Sequence, residues 1–214
     1  MGAFRVFGRA LRGIWDDVLP LGVMNLLTIL CQITVVLGPP SMAALHAMCQ
    51  RAVDGYAIKT EEYFRAMRQY FVRAWIFALP ALVVNTLIVW NIAFYAGFQQ
   101  EWAIWVQGAW LAALLFWNAI QFYMFPFLVA QEDKHWRVAL RNSVITAGAN
   151  PLFTLILLIL CGLMLGLAVA TGPVFFFLGL VVVTMPANAA VLDRVADFQR
   201  RHEEATARAQ ERTR

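Results

Sequence analysis

Charged residues are scarce along most of this 214-residue chain, and their distribution decides the class of protein. Charged side chains make up 14% of the residues and apolar ones 61%, whereas a soluble domain has about 25% and 45–50%. The stretches 18–50, 74–130 and 142–192 contain a single charged residue, Glu101. A soluble fold cannot bury so much apolar surface, so the sequence predicts an integral membrane protein. A secreted domain, a nucleic-acid-binding protein and a soluble enzyme are excluded.

Groups that carry chemistry are equally rare. The three cysteines lie in apolar stretches and are odd in number, so we expect neither a disulfide framework nor a Cys-pair zinc site. Met42, His46 and Cys49 share a helical stripe of soft metal ligands, but a lone membrane histidine is expected to be hydrogen-bonded. The predicted spans contain no acidic or basic residue except His46, which argues against a proton-coupled pump and against hydrolysis by paired carboxylates. We therefore predict no enzyme, cofactor or metal site.

Apolar segments long enough to cross about 30 Å of hydrocarbon as helices are readily identified. Four of them are unambiguous: 74–98, 104–130, 151–170 and 174–192. Residues 18–50 form a further uncharged stretch, which Gly38-Pro39-Pro40 interrupts. Because proline removes a backbone donor and glycine permits unusual backbone angles, this stretch is either one kinked helix or a helical hairpin. The predicted fold class is an all-α polytopic membrane protein with five or six membrane segments.

The positions of lysine and arginine favour the hairpin. All 17 of these residues fall in four clusters: 1–17, 51–73, 131–149 and 193–214. A hairpin puts every cluster on one side of the membrane, in agreement with the positive-inside bias, whereas a single crossing puts the first cluster opposite the others. We therefore predict three helical hairpins, with both termini in the cytoplasm. Their outer turns are predicted at Gly38-Pro39-Pro40, 98–103 and 171–173.

Amphipathic segments flank the predicted spans. Residues 60–75 place three arginines off an apolar stripe, and the connection that begins at 132–137 continues into a second amphipathic segment. We predict short interfacial helices here that contact anionic lipids of the cytoplasmic leaflet, with docking of a cytoplasmic protein as the alternative. The chain then forms a single membrane domain, 1–214. Its residues 1–17 are an interfacial segment, and residues 193–214 are a cytoplasmic tail that extends the last helix.

The Gly38-Pro39-Pro40 break is the candidate ligand site. The return arm, 40–51, measures only about 18 Å as a helix, so the break is expected below the outer surface, buried in protein or beside a wet cavity. A helix that begins there directs free N–H groups toward an anionic or hydroxyl-rich ligand. Polar groups at depth complete the candidate ligand-binding set: Asn25, Gln32, Gly38, Pro39, Ser41, His46, Asn85, Asn118 and Gln121. Hydrogen bonding between helices is the alternative role for these side chains.

Small residues predict close packing in the third hairpin. Gly162 and Gly166 have the spacing that lets helix backbones approach each other. Counted from the turn at 171–173, Gly166 and Gly179 lie at the same depth, so we expect them to face each other. Dimerisation through the same face is the alternative.

Several short motifs resemble the YesL-like family of bacterial membrane proteins. Asn25-Leu26-Leu27 and the Gly-Pro segment within 36–45 are similar to the opening of that family. Residues 63–67 resemble its aromatic-basic segment, and residues 141–144 its basic-Asn step. The resemblance covers nearly the whole chain and implies a bacterial inner-membrane protein, often encoded near carbohydrate uptake systems. That family has no established activity, so the resemblance implies no catalytic residues.

Two functions are compatible with these features. The first is an accessory membrane protein that works beside the subunits of a solute transporter, in particular a carbohydrate importer. The alternative is a small transporter or solute-binding membrane protein with its site at the Gly38-Pro39-Pro40 break.

Overall fold

Helices are the regular secondary structure of the described part of the chain, and no strand is found in it. The computed structural model describes residues 2–131 and 135–212. Its helices are α1 (Gly2–Asp16), α2 (Val18–Ile33), α3 (Gly38–Val53), α4 (Thr60–Ala96), α5 (Glu101–Ala130), α6 (Trp136–Ala149), α7 (Pro151–Ala170), α8 (Pro173–Leu178) and α9 (Val181–Arg212). The predicted all-α class is confirmed. Residues 132–134, at the start of the second predicted inner connection, and residues 213–214 of the predicted tail lie outside the described residues.

Four helical stretches are long and apolar enough to cross a membrane. They are Thr60–Ala96, Glu101–Ala130, Pro151–Ala170 and Pro173–Asp197, the last of which joins α8 to the first part of α9. A fifth stretch passes the same test if α1 and α2 are taken together, although they meet at an angle of 93°. The protein is therefore a multi-pass integral membrane protein.

The helices pair as in the three predicted hairpins, but the first pair turns earlier than expected, and neither α2 nor α3 alone is among the stretches long and apolar enough to cross a membrane. α2 packs against α3, α4 against α5, and α7 against both α8 and α9. The link between α2 and α3 is Thr34–Leu37, so the prediction of a turn at Gly38-Pro39-Pro40 is wrong. Those three residues instead form the first turn of α3, where a proline costs no hydrogen bond because the first N–H groups of a helix have no partner within it. Val35 makes the bend with a positive φ of 57°.

α3 is the centre of the bundle. It packs against α2, α4, α5 and α9, and most of its side chains from Pro40 to Cys49 are buried. At 16 residues it measures about 24 Å, less than the hydrocarbon thickness. Its neighbours cover it with protein rather than lipid, so a short and only mildly apolar helix is accommodated within the membrane fold.

The predicted interfacial helix at 60–75 is not a separate element. It is the first part of α4, which runs without a break for 37 residues. Neither glycine nor proline occurs between Thr60 and Pro80, so nothing in the backbone stops the helix where the charged residues end. The second predicted interfacial segment is a separate short helix, α6.

The predicted contact between Gly166 and Gly179 is wrong. A Cβ atom placed on Gly162 or on Gly166 would meet nothing within 4 Å, and both glycines are exposed on α7. Equal distance from the turn at 171–173 does not bring Gly166 and Gly179 face to face, because α8 ends at Leu178 and the helix is interrupted before α9 begins at Val181. At Gly179 the space that a Cβ would need is filled by Phe175 of the preceding turn, so the close approach is made inside this bend.

Candidate functional site

Asn25 is fully buried and serves the break between α8 and α9. Its side-chain Oδ1 accepts the backbone N–H groups of Leu180 (2.8 Å) and Val181 (3.2 Å). Its Nδ2 donates to the carbonyl oxygens of Phe176 (2.8 Å) and Phe175 (3.2 Å). A continuous helix would bond the N–H of Leu180 to the carbonyl of Phe176. The amide of Asn25 therefore bridges both halves of one opened helical hydrogen bond.

The residues of the predicted break make contacts with one another and with Gln32. The Ser41 hydroxyl donates to the carbonyl oxygen of Gly38 at 2.7 Å, and both residues are buried. A Cβ on Gly38 would lie 2.7 Å from Oε1 of Gln32, so the missing side chain makes room for that amide. Pro39 is half-buried beside them, while Gln32 itself is exposed. Gln32 and Ser41 thus both contact Gly38, and these contacts stabilise the α2–α3 turn.

His46 belongs to a polar cluster between α3 and α9. Its Nδ1 lies 3.0 Å from Nδ2 of Asn188, which also donates to the carbonyl oxygen of Thr184. Because the amide nitrogen is a donor, Nδ1 is the acceptor and the ring proton is on Nε2. Oδ1 of Asn188 is buried with no hydrogen-bond partner among the described residues. Nearby, Sγ of Cys49 lies 3.2 Å from the Thr184 hydroxyl.

The remaining predicted residues lie on the second hairpin, away from this cluster. Asn85 of α4 and Gln121 of α5 exchange two amide hydrogen bonds, each of 3.2 Å. Asn118 is exposed, and its Nδ2 donates to the carbonyl of Leu114 on its own helix. The nine candidate residues therefore do not form one site. For Asn25, Asn85 and Gln121 the hydrogen bonds join separate helices, as the alternative role required.

A polar cavity is found at the other end of α3, where that helix meets the beginning of α4. Its volume is about 300 Å³, at the lower end of the range for small-molecule sites. The charged and polar side chains that line it include Gln50, Arg51, Asp54, Tyr56, Glu62 and Arg65. We refer to it as the α3–α4 cavity. It lies on the side of the membrane that the charge distribution predicts to be cytoplasmic.

Both hydrogen-bond donors and acceptors are available in the α3–α4 cavity. Oε1 of Gln50 and Nε of Arg51 are buried without a hydrogen-bond partner among the described residues. The Arg51 guanidinium also donates from Nη2 to the carbonyl of Ala57 at 3.3 Å, and its Cζ lies 5.8 Å from the ring centre of Tyr56. These contacts fix the guanidinium at the wall of the cavity.

Opposite charges balance each other across the cavity. Glu62 and Arg65 form an ion pair of 2.9 Å on the first turns of α4. Partial burial raises the pKa of the Asp54 carboxyl above its ordinary value. With two guanidinium groups and two carboxyl groups, the walls favour a neutral polar or zwitterionic ligand over a simple ion.

No pattern in the sequence predicted this cavity. Gln50 and Arg51 mark the end of an uncharged stretch, and Glu62 follows the capping signal at Thr60. Each therefore has an ordinary explanation as a helix boundary. Gln50 and Arg51 of α3 surround one space together with Glu62 of α4 because the end of α3 and the beginning of α4 lie apart.

The four long apolar helical stretches define a multi-pass integral membrane protein. No family model, curated protein or solved structure matches the chain. The resemblance to the YesL-like family therefore stays a prediction.

Proposed function

We propose that the protein binds a small hydroxyl-rich solute of the sugar class in the α3–α4 cavity and works beside a solute uptake system in a bacterial inner membrane. The observation that carries the proposal is the mixed polar lining of the α3–α4 cavity, of about 300 Å³, in which Gln50, Arg51 and Asp54 offer hydrogen-bond donors and acceptors. A ligand hydroxyl that forms a hydrogen bond to one of these neutral or charged side chains contributes about 0.5–3 kcal/mol to binding.

The mixed charge of the cavity supports a sugar rather than an ion. Each sugar hydroxyl both donates and accepts hydrogen bonds, as the amide, guanidinium and carboxyl groups of the walls require. Asp54 and Glu62 repel a simple anion, and Arg51 and Arg65 repel a simple cation. Tyr56 adds a ring face on which the apolar side of a sugar can pack.

An accessory role agrees with the composition of the spans. The stretches 18–50, 74–130 and 142–192 contain a single charged residue, Glu101. It lies at the beginning of α5, next to the connection from α4. Coupling of transport to protons or cations normally uses ionisable groups at depth in the membrane. The resemblance to the YesL-like family supports a partner that imports carbohydrate. A small transporter that uses the same cavity is the alternative.

Sugar binding can be measured on the purified protein in detergent by thermal stability. The panel consists of monosaccharides, disaccharides and polyols, each at up to 100-fold its dissociation constant, where binding adds about 2.7 kcal/mol to stability. Gln50→Leu removes the acceptor and is expected to weaken binding about tenfold. Gln32→Leu changes an equivalent amide at the break predicted from the sequence and is expected to leave binding intact. If no member of the panel raises the thermal stability, sugar binding is contradicted. It is also contradicted if Gln32→Leu loses binding while Gln50→Leu keeps it.

The association with an uptake system requires a separate experiment. The tagged protein is isolated from native membranes in a mild detergent, and the proteins that accompany it are identified. We expect a transporter subunit in stoichiometric amount. Recovery of this chain alone, from membranes in which the transporter is present, contradicts the accessory role but leaves the sugar site standing.

A further inference from the structure

Two cavities meet at the N-terminal end of α7, and nothing in the proposed function uses them. The first has a volume of about 500 Å³ and lies between α5 and α7. The second, of about 550 Å³, is bordered by α1, by the α6–α7 junction and by α9. Both are lined by Pro151 and Leu152, so they border each other at the first turn of α7. One is almost wholly apolar, whereas the other contains charged side chains.

The apolar cavity is a groove that faces the membrane. Phe116 and Ala119 of α5 form one wall, and Leu155 and Ile159 of α7 form the other. It follows α7 from Leu152 to Ile159, about 12 Å along the helix axis. Half of a hydrocarbon core of about 30 Å is 15 Å, so the groove extends through most of one leaflet.

The polar cavity has the features of a phosphate site. The Arg194 guanidinium is held at its edge, with Cζ 4.9 Å from the ring centre of Phe153. The Asp193 carboxylate, which also lines the cavity, is paired with Nη1 of Arg9 at 3.4 Å. No side chain caps the first turn of α7, so the backbone N–H groups of Leu152 and Phe153 are free for an anion at the positive end of the helix.

We propose that these adjoining cavities bind one anionic glycerophospholipid, whose phosphate lies between Arg194 and the first turn of α7 while an acyl chain occupies the α5–α7 groove. The positive charge and the apolar groove adjoin the same first turn of α7, where the headgroup and an acyl chain of one such lipid can reach both. The site is on the side where the charge distribution places the cytoplasmic leaflet. It goes beyond the proposed function, since it shares no residue with the α3–α4 cavity.

Native mass spectrometry of the full chain, released from detergent, tests the proposal. The probes are phosphatidylglycerol, phosphatidylcholine with the same acyl chains, and glycerol phosphate. We expect one molecule of phosphatidylglycerol to bind in preference to phosphatidylcholine. In Arg194→Gln this binding is expected to be weakened about fivefold. Leu155→Trp fills the groove and is expected to remove that preference. Arg200→Gln and Leu163→Trp make the same changes on exposed positions outside the cavities and are expected to bind as the unaltered protein does.

Other outcomes overturn the proposal. Equal binding of the two phospholipids contradicts a headgroup site, and equal loss in Arg200→Gln shows that only total charge matters. Tight binding of glycerol phosphate that Leu155→Trp does not alter shows an anion site without an acyl chain. If a variant does not fold, phosphatidylglycerol with a photoreactive acyl chain is cross-linked to the unaltered protein. Label outside the α5 and α7 segments of the groove then contradicts the proposal.

Discussion

The side chain of Asn25 takes the place of a helical hydrogen bond between two residues about 150 positions further along the chain. It satisfies two backbone N–H groups and two carbonyl groups where α8 gives way to α9. The sequence predicted a polar residue at depth and left open whether it binds a ligand or another helix. Its partners could not be identified because they are backbone groups of a bend that no residue pattern marks.

Replacement of Asn25 is expected to destabilise the protein strongly. Asn25→Leu keeps a side chain of similar size but leaves the N–H of Leu180 and the carbonyl of Phe176 unpaired in the interior. At about 1–3 kcal/mol for each unpaired group, we expect a loss of 2–6 kcal/mol. The loss is measured as a lower apparent midpoint of thermal or denaturant unfolding in detergent.

Asn118 offers a matched control for this substitution. It is exposed, and its amide bonds only to a carbonyl of its own helix. Asn118→Leu is therefore expected to change stability by no more than about 0.5 kcal/mol. Equal effects of the two substitutions contradict the structural role assigned to Asn25.

The α2–α3 hairpin shows at the level of elements why a break was predicted correctly and placed four residues late. Gly38-Pro39-Pro40 is the obvious helix breaker in the sequence, but proline ends a helix that precedes it and also suits the beginning of the next. Here it begins α3, and the bend is made by Thr34–Leu37. The Nε1 group of Trp75 donates to the carbonyl of Val36 at 3.0 Å, so α4 helps to fix the turn.

Val35 is an unfavourable residue for the conformation that it adopts. A positive φ of 57° is uncommon for a β-branched side chain and costs about 1–2 kcal/mol. Val35→Gly removes that strain, and the gain exceeds the extra entropy that glycine has in the unfolded chain. We expect a stabilisation of about 0.5–1 kcal/mol, seen as a higher unfolding midpoint.

The neighbouring valine separates strain relief from added flexibility. Val36 is also exposed in the same turn, but its φ is not positive. Val36→Gly is therefore expected to lower stability by about 0.5–1 kcal/mol, because only the entropic cost is left. A rise in both variants, or a fall in both, contradicts the account of strain at Val35.

Hydropathy and charge predicted the long elements well. The predicted spans 104–130 and 151–170 correspond to α5 and α7, with ends that differ by at most three residues. These elements are set by local composition, which a sequence displays directly. The bend at Gly179, the open face of Gly162 and the α3–α4 cavity depend on how separate helices pack, and no local pattern encodes that.

The length of α4 connects the elements to the whole molecule. At 37 residues it measures about 55 Å, well beyond a hydrocarbon core of about 30 Å. Its first turns therefore extend past the apolar layer and carry Arg65, Arg68 and Arg73 into the headgroup region or beyond. The predicted interfacial segment and the observed continuous helix are in this respect two descriptions of one feature.

The threading of the chain through the membrane follows from the charges and has a direct test. In a variant whose native cysteines are replaced by alanine, single cysteines are introduced by Gly8→Cys, Tyr56→Cys and Gln99→Cys. All three positions are exposed, and a side chain at Gly8 meets nothing within 4 Å. The hairpin formed by α2 and α3 puts residues 8 and 56 on the cytoplasmic side and residue 99 on the other. We therefore expect a membrane-impermeant maleimide, added outside intact cells, to label only residue 99.

Inside-out vesicles provide the reciprocal measurement, in which residues 8 and 56 are expected to react and residue 99 to be protected. A single crossing by residues 18–50 leaves residue 56 unchanged but moves residue 8 to the side of residue 99. Labelling of residue 8 from outside intact cells would thus contradict the hairpin while leaving the orientation of the remaining spans intact. Labelling of residue 56 from outside would instead invert the whole arrangement and take the α3–α4 cavity and the phospholipid site out of the cytoplasmic half of the membrane. The position of residue 8 relative to residue 56 therefore decides between a hairpin and a single crossing of residues 18–50, that is, between an even and an odd number of membrane segments.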